Sequence, residues 1–186
     1  MKKIIIGLVG EMGAGKDTFS EYVKSKNRES VFCFRFSDPL SEVLKIFFNE
    51  VKRTDQQWLG IVLRERFGRD ILIKAISKKI KSQKKGAIII LNGVRYWEEY
   101  KAIKKLGGKM VYITADSKLR WQRTKKRNEK KDDTAPYKEF FKKEKAETEL
   151  QIPGIGKKSD FKIKNNKSKK AFYQKIEEIL KELREK

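Results

Sequence analysis

Apolar runs that are typical of buried strands alternate along the chain with segments of helical periodicity. The runs are Ile4–Val9, Val31–Phe36, Ala87–Leu91, Met110–Thr114 and Phe161–Ile163. Between them, Leu and Ile recur every three or four residues among Lys and Glu, as they do on amphipathic helices. Short apolar strands separated by helices are characteristic of a parallel sheet that is covered on both faces. The pattern therefore predicts an α/β fold of three layers (α/β/α) around a five-stranded parallel sheet.

The segments between the strands suggest how the chain is organised. Its 186 residues are the length of one domain. Residues 49–83 predict two helices inserted between the second and third strands, and a last helix is predicted to begin near Ser168. We expect a single domain whose core comprises residues 1–48, 84–119 and 146–186, with 49–83 and 120–145 as additions to it.

Composition excludes several classes of chemistry. The chain has one cysteine, Cys33, and no histidine, which excludes a disulfide framework, a Cys/His zinc site and a Ser–His or Cys–His catalytic unit. No apolar stretch approaches the roughly 20 residues that cross a bilayer, so no membrane partner is expected. A single cysteine fits a reducing interior, and we expect a cytoplasmic location.

The formal net charge of +22 raises the possibility of a nucleic-acid partner, because a basic surface attracts polyanions. However, 36 of the basic residues are lysines and only 11 are arginines, and the lysines are spread along the whole chain. Phosphate readers favour the guanidinium fork of arginine. Nucleic acid therefore stays an alternative partner that this distribution does not favour, and a non-catalytic or nucleic-acid-associated nucleotide-binding protein stays an alternative function.

The sharpest motif follows the first strand, where Gly10-Glu11-Met12-Gly13-Ala14-Gly15-Lys16-Asp17-Thr18 leads directly into a helical pattern. It matches G-x-x-x-x-G-K, a loop whose backbone N–H groups cradle phosphates at a helix N-terminus. We predict that the loop binds ATP and that Lys16 reaches the terminal phosphates. The residues assigned to nucleotide binding are Gly10, Gly13, Ala14, Gly15, Lys16, Asp17 and Thr18.

The metal ligands of such a loop are less clear. A Ser or Thr normally follows the lysine and binds Mg²⁺, but here Asp17 holds that position and Thr18 comes one residue later. Asp17 either holds a metal-bound water or caps the helix. In proteins with such a loop, the third strand usually ends in an aspartate that helps to hold the metal. Asn92 stands at that position here, and a neutral amide cannot neutralise a metal. Mg²⁺ is expected, with Asp17 and Thr18 as its candidate ligands.

Taken in order, these motifs resemble the nucleoside monophosphate kinase-like P-loop family, which includes adenylate-type kinases, deoxynucleoside monophosphate kinases and dephospho-CoA kinase. The likeness runs through most of the chain. Besides the loop, it rests on Phe36-Ser37-Asp38-Pro39-Leu40, Leu63-Arg64-Glu65, Phe67-Gly68-Arg69-Asp70, Ile90-Leu91-Asn92-Gly93-Val94-Arg95, Arg120-x-x-Arg123-x-x-x-Arg127 and Ser159-Asp160-Phe161-Lys162-Ile163-Lys164-Asn165.

The resemblance implies a cytoplasmic kinase of nucleotide metabolism, monomer or homodimer, that transfers the γ-phosphoryl group of ATP to a small phosphorylated acceptor. A nucleoside or deoxynucleoside monophosphate is the acceptor it favours. Residues 49–83 would then bind the acceptor, and 120–145 would form a lid. Substrate-binding candidates are Asp38, Arg64, Arg69 and Arg95, and catalytic candidates are Lys16, Asp38, Arg120, Arg123 and Arg127. Asn165 is similar to the family's adenine-loop residue.

Each assignment has a structural alternative. Asp38 precedes Pro39 as a helix cap would, Arg64 and Arg69 have Glu65 and Asp70 beside them, and Asn165 suits a turn. Arg95 has Glu98 and Glu99 on the following helix, and the three lid arginines, at i, i+3 and i+7, suit a solvated basic face. Dephospho-CoA kinase-like phosphorylation of a hydroxyl is the alternative reaction, and it requires a carboxylate such as Asp38 to activate the hydroxyl.

Overall fold

Five parallel strands form one sheet in the computed structural model, which describes residues 2–26, 31–127 and 135–185. The order across the sheet is β2-β3-β1-β4-β5, and every neighbouring pair is parallel. The predicted five-stranded parallel sheet is confirmed. The strands are β1 Ile4–Val9, β2 Val31–Phe34, β3 Ile88–Val94, β4 Lys109–Thr114 and β5 Phe161–Lys164.

Helices connect the strands, and three of them lie between β2 and β3. The two helices predicted for residues 49–83 are α3 and α4, and the predicted last helix is α9. The helices are α1 Lys16–Lys26, α2 Asp38–Phe47, α3 Arg53–Phe67, α4 Ile71–Ser82, α5 Trp97–Lys105, α6 Ser117–Arg127, α7 Tyr137–Lys143, α8 Ile152–Lys157 and α9 Lys169–Glu185, with a 3-10 turn at Glu147–Glu149.

Two apolar clusters, one on each face of the sheet, make the three layers. Alternate residues of β1 point to opposite faces, so Ile6 and Leu8 join one cluster and Ile5 and Val9 the other. The first cluster includes side chains of α1 and α9, and the second includes side chains of α4, α5 and α8. Burial on both faces explains why the strands are apolar runs without polar alternation.

Because all five strands are parallel, their carboxyl ends lie at one edge of the sheet. In open parallel sheets, ligands bind beyond this edge. The residues that follow β1, β2, β3, β4 and β5 there are Gly10, Arg35, Arg95, Ala115 and Asn165.

The division into core, acceptor-binding insertion and lid stays a prediction. Residues 128–134 of the predicted lid lie outside the described residues. Among the helices that the structure describes, none combines the length and the apolar character that a membrane crossing requires.

Candidate active site

The loop between β1 and α1 packs so closely against its surroundings that Gly13 and Gly15 have no space for a Cβ atom. Gly13 has φ +76°, and a Cβ there would lie 2.5 Å from the Arg120 carbonyl oxygen. Gly15 has φ +113°, and its Cβ would lie 2.6 Å from Nδ2 of Asn165. Left-handed backbone and close contacts both require glycine. The loop is therefore held between α6 on one side and the segment after β5 on the other.

Lys16 begins α1, and its side chain folds back over the loop. Its Nζ donates to the carbonyl oxygens of Gly10 at 2.6 Å and Glu11 at 2.8 Å. Burial and the positive charge of Arg95 lower the pKa of Lys16 to about 8, although the charges of Asp17, Glu149 and Glu11 oppose the shift. An ammonium group at the centre of the loop is where a terminal phosphate would need it.

Glu11 of the same loop is tied to β4. Its Oε1 accepts a hydrogen bond from the Tyr112 hydroxyl, and its Oε2 is buried without a hydrogen-bond partner among the described residues. Burial and the hydrogen bond to Glu11 raise the pKa of Tyr112 to about 12. Tyr112 therefore stays a neutral donor and keeps the negative side chain of Glu11 near Lys16.

Asp17 lies at the centre of a charge network. Its Oδ1 accepts hydrogen bonds from Arg35 Nη2 and Asn92 Nδ2, each at 2.8 Å, and its Oδ2 lies 3.7 Å from Arg127 Nη1. Burial by itself raises the pKa of Asp17, but the charge of Arg35 and the hydrogen bond of Asn92 outweigh it and hold the pKa below the ordinary value. Asn92, in place of a strand-end carboxylate, thus serves as a donor to Asp17.

A magnesium ion that arrives with a nucleotide would find an ionised carboxylate at Asp17, and the role of Thr18 as a ligand stays a prediction. Mg²⁺ in such sites takes only one or two protein oxygens and completes its shell with phosphate oxygens and waters. Asp17 remains ionised, and Thr18 adds a hydroxyl one residue later. The described residues contain no group of three or more acidic, His or Cys side chains able to hold a metal alone, so the phosphates would have to supply the other ligands.

Arg120 is held by contacts within the protein. It is 5% exposed, and Nε donates to the Ala115 carbonyl at 2.7 Å. Nη1 donates to the Met12 carbonyl at 3.3 Å and also contacts Glu144. Because carbonyls and a carboxylate already use these donors, Arg120 joins α6 to the phosphate loop and to the segment after α7. In this structure Arg120 is a structural clamp, and its role toward phosphates stays a prediction.

Arg123 and Arg127 lie further along α6. Thr124 lies between them and contacts Gly13, while Arg127 approaches Asp17. Nη1 of Arg123 is buried and has no hydrogen-bond partner among the described residues. Burial lowers the pKa of Arg123 from its ordinary value, but a guanidinium remains charged at neutral pH. Of the three predicted lid arginines, Arg120 contacts the loop and Arg127 approaches Asp17, while Arg123 has a buried, unsatisfied donor.

Beyond β3, Arg95 forms an ion pair that the sequence did not indicate. Its Nη1 lies 2.5 Å from Oε1 of Glu149 in the 3-10 turn, and the carboxylate of Glu149 is only 15% exposed. Glu98 and Glu99, the partners considered from the sequence, contact Arg69 and the Arg95 backbone N–H. The predicted acceptor-binding arginine therefore has a carboxylate beside it.

Glu99 is buried beneath this pair. Its Oε2 accepts the backbone N–H groups of Arg95 at 2.8 Å and Tyr96 at 3.3 Å. Burial raises the pKa of Glu99 to about 7, against the opposing effect of these two hydrogen bonds. Glu99 therefore fixes the backbone that presents Arg95.

The other predicted acceptor residues occupy different positions. Arg64 of α3 donates to the Gly60 carbonyl at 3.1 Å and lies over the Tyr96 ring, 5.6 Å from its centroid, so it points toward the Arg95 segment. The side chain of Arg69 is 86% exposed, and Glu98 lies 4.0 Å away. The structure does not bring Arg69 to the site, because it sits at the solvent-facing bend between α3 and α4.

Asp38 shows the geometry of a helix start. Its Oδ2 accepts the backbone N–H of Arg35 at 2.6 Å, which closes the turn ahead of α2. It also lines a cavity of about 280 Å³ together with Asp17, Arg35 and Asn92. Asp38 is thus the first residue of α2, with Ser37 at the N-cap position, and it lies near the phosphate loop.

Asn165 supports the phosphate loop directly. It is 8% exposed, its Nδ2 donates to the Ala14 carbonyl at 2.9 Å, and its backbone N–H donates to the Thr114 carbonyl at 2.7 Å. A loop-supporting role was not among the readings of the sequence.

Four residues of the site were missed by sequence reasoning: Arg35, Glu149, Glu11 and Tyr112. Arg35 had a usable signal, since it follows a buried strand at the carboxyl edge of the sheet. Glu149 had none, because it is one of many glutamates in a charged segment and comes 54 residues after Arg95.

A G-x-x-x-x-G-K loop after the central strand, a lysine folded over it and arginines on a neighbouring helix define the class: this is a P-loop nucleotide-binding protein. A family model described as AAA domain matches residues 6–150. That is most of the chain, and the protein belongs to this family.

Similar proteins support a kinase-like fold within that class. The chain is 28% identical over 181 residues to a UPF0200 protein of Sulfurisphaera tokodaii, covering 96% of this chain and 97% of that one. It superposes on shikimate kinase from Bacteroides thetaiotaomicron with TM-score 0.59 at 14% identity, covering 97% and 98%. For dephospho-CoA kinase from Campylobacter jejuni the TM-score is 0.50 at 16% identity, covering 97% of each chain. At these identities the solved structures show a shared P-loop kinase-like fold.

Proposed function

We propose that this protein transfers the γ-phosphoryl group of ATP to a small acceptor. The observation that carries the proposal is the position of Lys16, whose ammonium lies in the phosphate loop and donates to the carbonyl oxygens of Gly10 and Glu11 in that loop. Burial and the charge of Arg95 lower the pKa of this ammonium to about 8, and a bound phosphate would stabilise its charged form. The kinase-like fold of similar proteins supports transfer rather than simple binding.

Each side chain has a role in this reaction. Lys16 and the loop N–H groups hold the terminal phosphates of ATP, and Arg123 and Arg127 approach them from α6. Charge spreads over the equatorial oxygens of the transferred group, so positioned cations there lower the barrier. Asp17 and Thr18 would hold Mg²⁺, which neutralises phosphate charge when it is bound. Arg35 and Asn92 keep Asp17 ionised and oriented.

The acceptor that the sequence resemblance favours is a nucleoside or deoxynucleoside monophosphate. Arg64, which lies over the Tyr96 ring, and Arg95, which precedes Tyr96 in the chain, would hold its phosphate. A monophosphate is already ionised, so it needs positioning and charge neutralisation but no general base.

A hydroxyl-bearing acceptor is the second candidate, and one contact favours it. Arg95 is paired with Glu149, so part of the charge that a monophosphate would require is already neutralised. Solved structures with similar folds include kinases named for shikimate and for dephospho-CoA.

A coupled assay of ADP release tests the proposal. Purified protein with ATP and Mg²⁺ would be screened against nucleoside monophosphates, deoxynucleoside monophosphates, nucleosides, shikimate and dephospho-CoA. We expect stimulation by at least one acceptor class, and we expect the Lys16→Ala variant to lose it, whereas Lys26→Ala, at the exposed end of α1, retains it. Absence of ATP binding by calorimetry would refute the proposal.

A further inference from the structure

Glu149 lies where the acceptor would meet the phosphate loop. Its carboxylate is 15% exposed and contacts Arg95 at 2.5 Å. Arg95 follows Val94 of β3, which is the register partner of Val9, the last residue before the phosphate loop. In agreement with this position, the charge of Arg95 lowers the pKa of Lys16, and the charge of Glu149 opposes the shift. Lys16, Arg95 and Glu149 thus come from three distant parts of the chain and converge beyond the carboxyl edge of the sheet.

The turn that carries Glu149 is fixed to the core. The backbone N–H of Glu149 donates to the Ala146 carbonyl at 2.8 Å. Two residues later, Gln151 Oε1 accepts the backbone N–H of Trp97 at 3.0 Å. Ile152 then enters the apolar cluster. Because neighbouring groups fix the turn, the carboxylate is positioned before any ligand arrives.

This carboxylate sets the charge that the acceptor site tolerates. A phosphate monoester carries close to two negative charges and would have to share Arg95 with Glu149, which repels it. A hydroxyl is neutral, and it can donate its hydrogen to a carboxylate oxygen. The pairing therefore favours a hydroxyl acceptor over a phosphate acceptor.

We propose that the acceptor is a small molecule with a reactive hydroxyl and that Glu149 accepts its proton. The proposal rests on the phosphotransferase function proposed above. The acceptor oxygen forms a bond to the γ-phosphorus while the bond from that phosphorus to the β-phosphate oxygen breaks, and the electron pair leaves with ADP. The hydroxyl proton moves to Glu149 and then to solvent.

Asp38, the carboxylate that the family resemblance indicates for this role, is engaged differently. Its Oδ2 closes the turn to the Arg35 backbone, and it lies on the side of the site where Asp17 is. Glu149 is on the side where Arg95 is. The two carboxylates can therefore be separated by mutation.

Glu149→Gln tests the assignment, because it keeps the size of the side chain and removes its charge. Glu147→Gln is the matched control, since Glu147 is in the same turn and exposed. The first measurement is calorimetric titration of AMP into protein saturated with ADP. We expect weak binding to the parent protein and to E147Q, and about tenfold tighter binding to E149Q, because one repelling charge is gone.

The second measurement is acceptor-stimulated ADP release with adenosine, shikimate and dephospho-CoA as hydroxyl probes and with AMP, CMP and dTMP as phosphate probes. We expect stimulation by a hydroxyl probe and a loss of about 100-fold or more in the turnover of E149Q, with a change of only a few-fold in ATP affinity. Unchanged melting temperatures would show that both variants fold.

Three results would overturn the inference while leaving phosphoryl transfer intact: stimulation by phosphate probes alone, no stimulation by any hydroxyl probe in protein that binds ATP, or full activity of E149Q. Failure of the parent protein to bind ATP would instead refute the proposed function, so the two failures are distinguishable.

Discussion

Asn165 and Ala14 are joined by a hydrogen bond of 2.9 Å from the Asn165 side chain to the Ala14 carbonyl. The bond links the end of β5 to the middle of the phosphate loop, across a contact so close that Gly15 has no room for a side chain. The loop is thus shaped by the edge of the sheet before it meets a nucleotide, which lowers the entropic cost of binding.

Replacing Asn165 by alanine should weaken both stability and nucleotide binding. The substitution leaves the buried Ala14 carbonyl without this donor, which costs about 1–3 kcal/mol in the free energy of unfolding. The loop also becomes less ordered, so we expect several-fold weaker ADP binding by calorimetry and a lower melting temperature.

Asn166→Ala is the control for this change. Its Oδ1 accepts the Asp116 backbone N–H at 3.0 Å in an exposed position away from the loop. Equal losses of ADP affinity in the two variants would argue against a loop-supporting role for Asn165.

Nucleotide binding should be accompanied by proton uptake near pH 8 to 9. The pKa of Lys16 is lowered to about 8, so the free protein is partly deprotonated at this residue in that range. Bound phosphates raise the pKa back toward its ordinary value, and the ammonium regains its proton. Calorimetry of ADP binding in buffers with different ionisation enthalpies measures this uptake directly.

The same titration at about pH 6 provides the control, because Lys16 is already protonated there. We expect the uptake attributable to Lys16 to vanish at that pH. If uptake is equal at both pH values, Lys16 is not the residue that responds to the phosphates.

Arg123→Ala should reduce turnover with little effect on stability. Its buried Nη1 has no hydrogen-bond partner among residues 2–26, 31–127 and 135–185, so its removal breaks no bond to these residues. If it stabilises the transferred phosphoryl group, we expect about a 100-fold lower kcat and a change in ADP affinity of only a few-fold.

Lys126, an exposed neighbour on the same helix, provides the matched control. Lys126→Ala removes one positive charge from α6 and should leave kcat within about twofold, since exposed charges are screened. A comparable loss of kcat in both variants would attribute the effect of Arg123 to general electrostatics.

In contrast to Arg123→Ala, Arg120→Met should cause a large loss of stability. Arg120 is 5% exposed and donates to two backbone carbonyls and to Glu144. Removing one partner of a buried charge pair costs about 3–5 kcal/mol. Urea unfolding measures it. A double variant with Glu144→Gln should recover part of the loss, because no unpaired carboxylate then remains.

The sheet and its loop were predictable because they depend on local patterns. Apolar runs identify the strands, and glycine spacing with a following lysine identifies a phosphate loop. The contacts of Arg120 and Glu149 were not predictable, because each joins distant parts of the chain: Arg120 with Met12, and Glu149 with Arg95. Helical spacing places three arginines on one face, but burial decides which of them remain available to a ligand.

Glu99 gives a prediction about pH. Its pKa is raised to about 7 in the folded protein from an ordinary value of 4.5. Below about pH 4.5 the group is protonated in both the folded and the unfolded protein, and its contribution to stability is complete. As pH rises through 4.5 to 7, the unfolded chain loses the proton first, so this contribution declines and is lost above about pH 7.

Glu99→Gln cannot ionise and should not show the decline. Urea unfolding of both proteins at pH 5 and pH 8 measures the effect. Relative to the parent protein, the free energy of unfolding of Glu99→Gln should be higher at pH 8 than at pH 5 by up to a few kcal/mol. Glu98→Gln, a partly exposed neighbour, should show no such gain. If the stability difference between the Glu99→Gln variant and the parent protein is the same at both pH values, Glu99 is not charged by pH 8, or it is charged in the folded state at both.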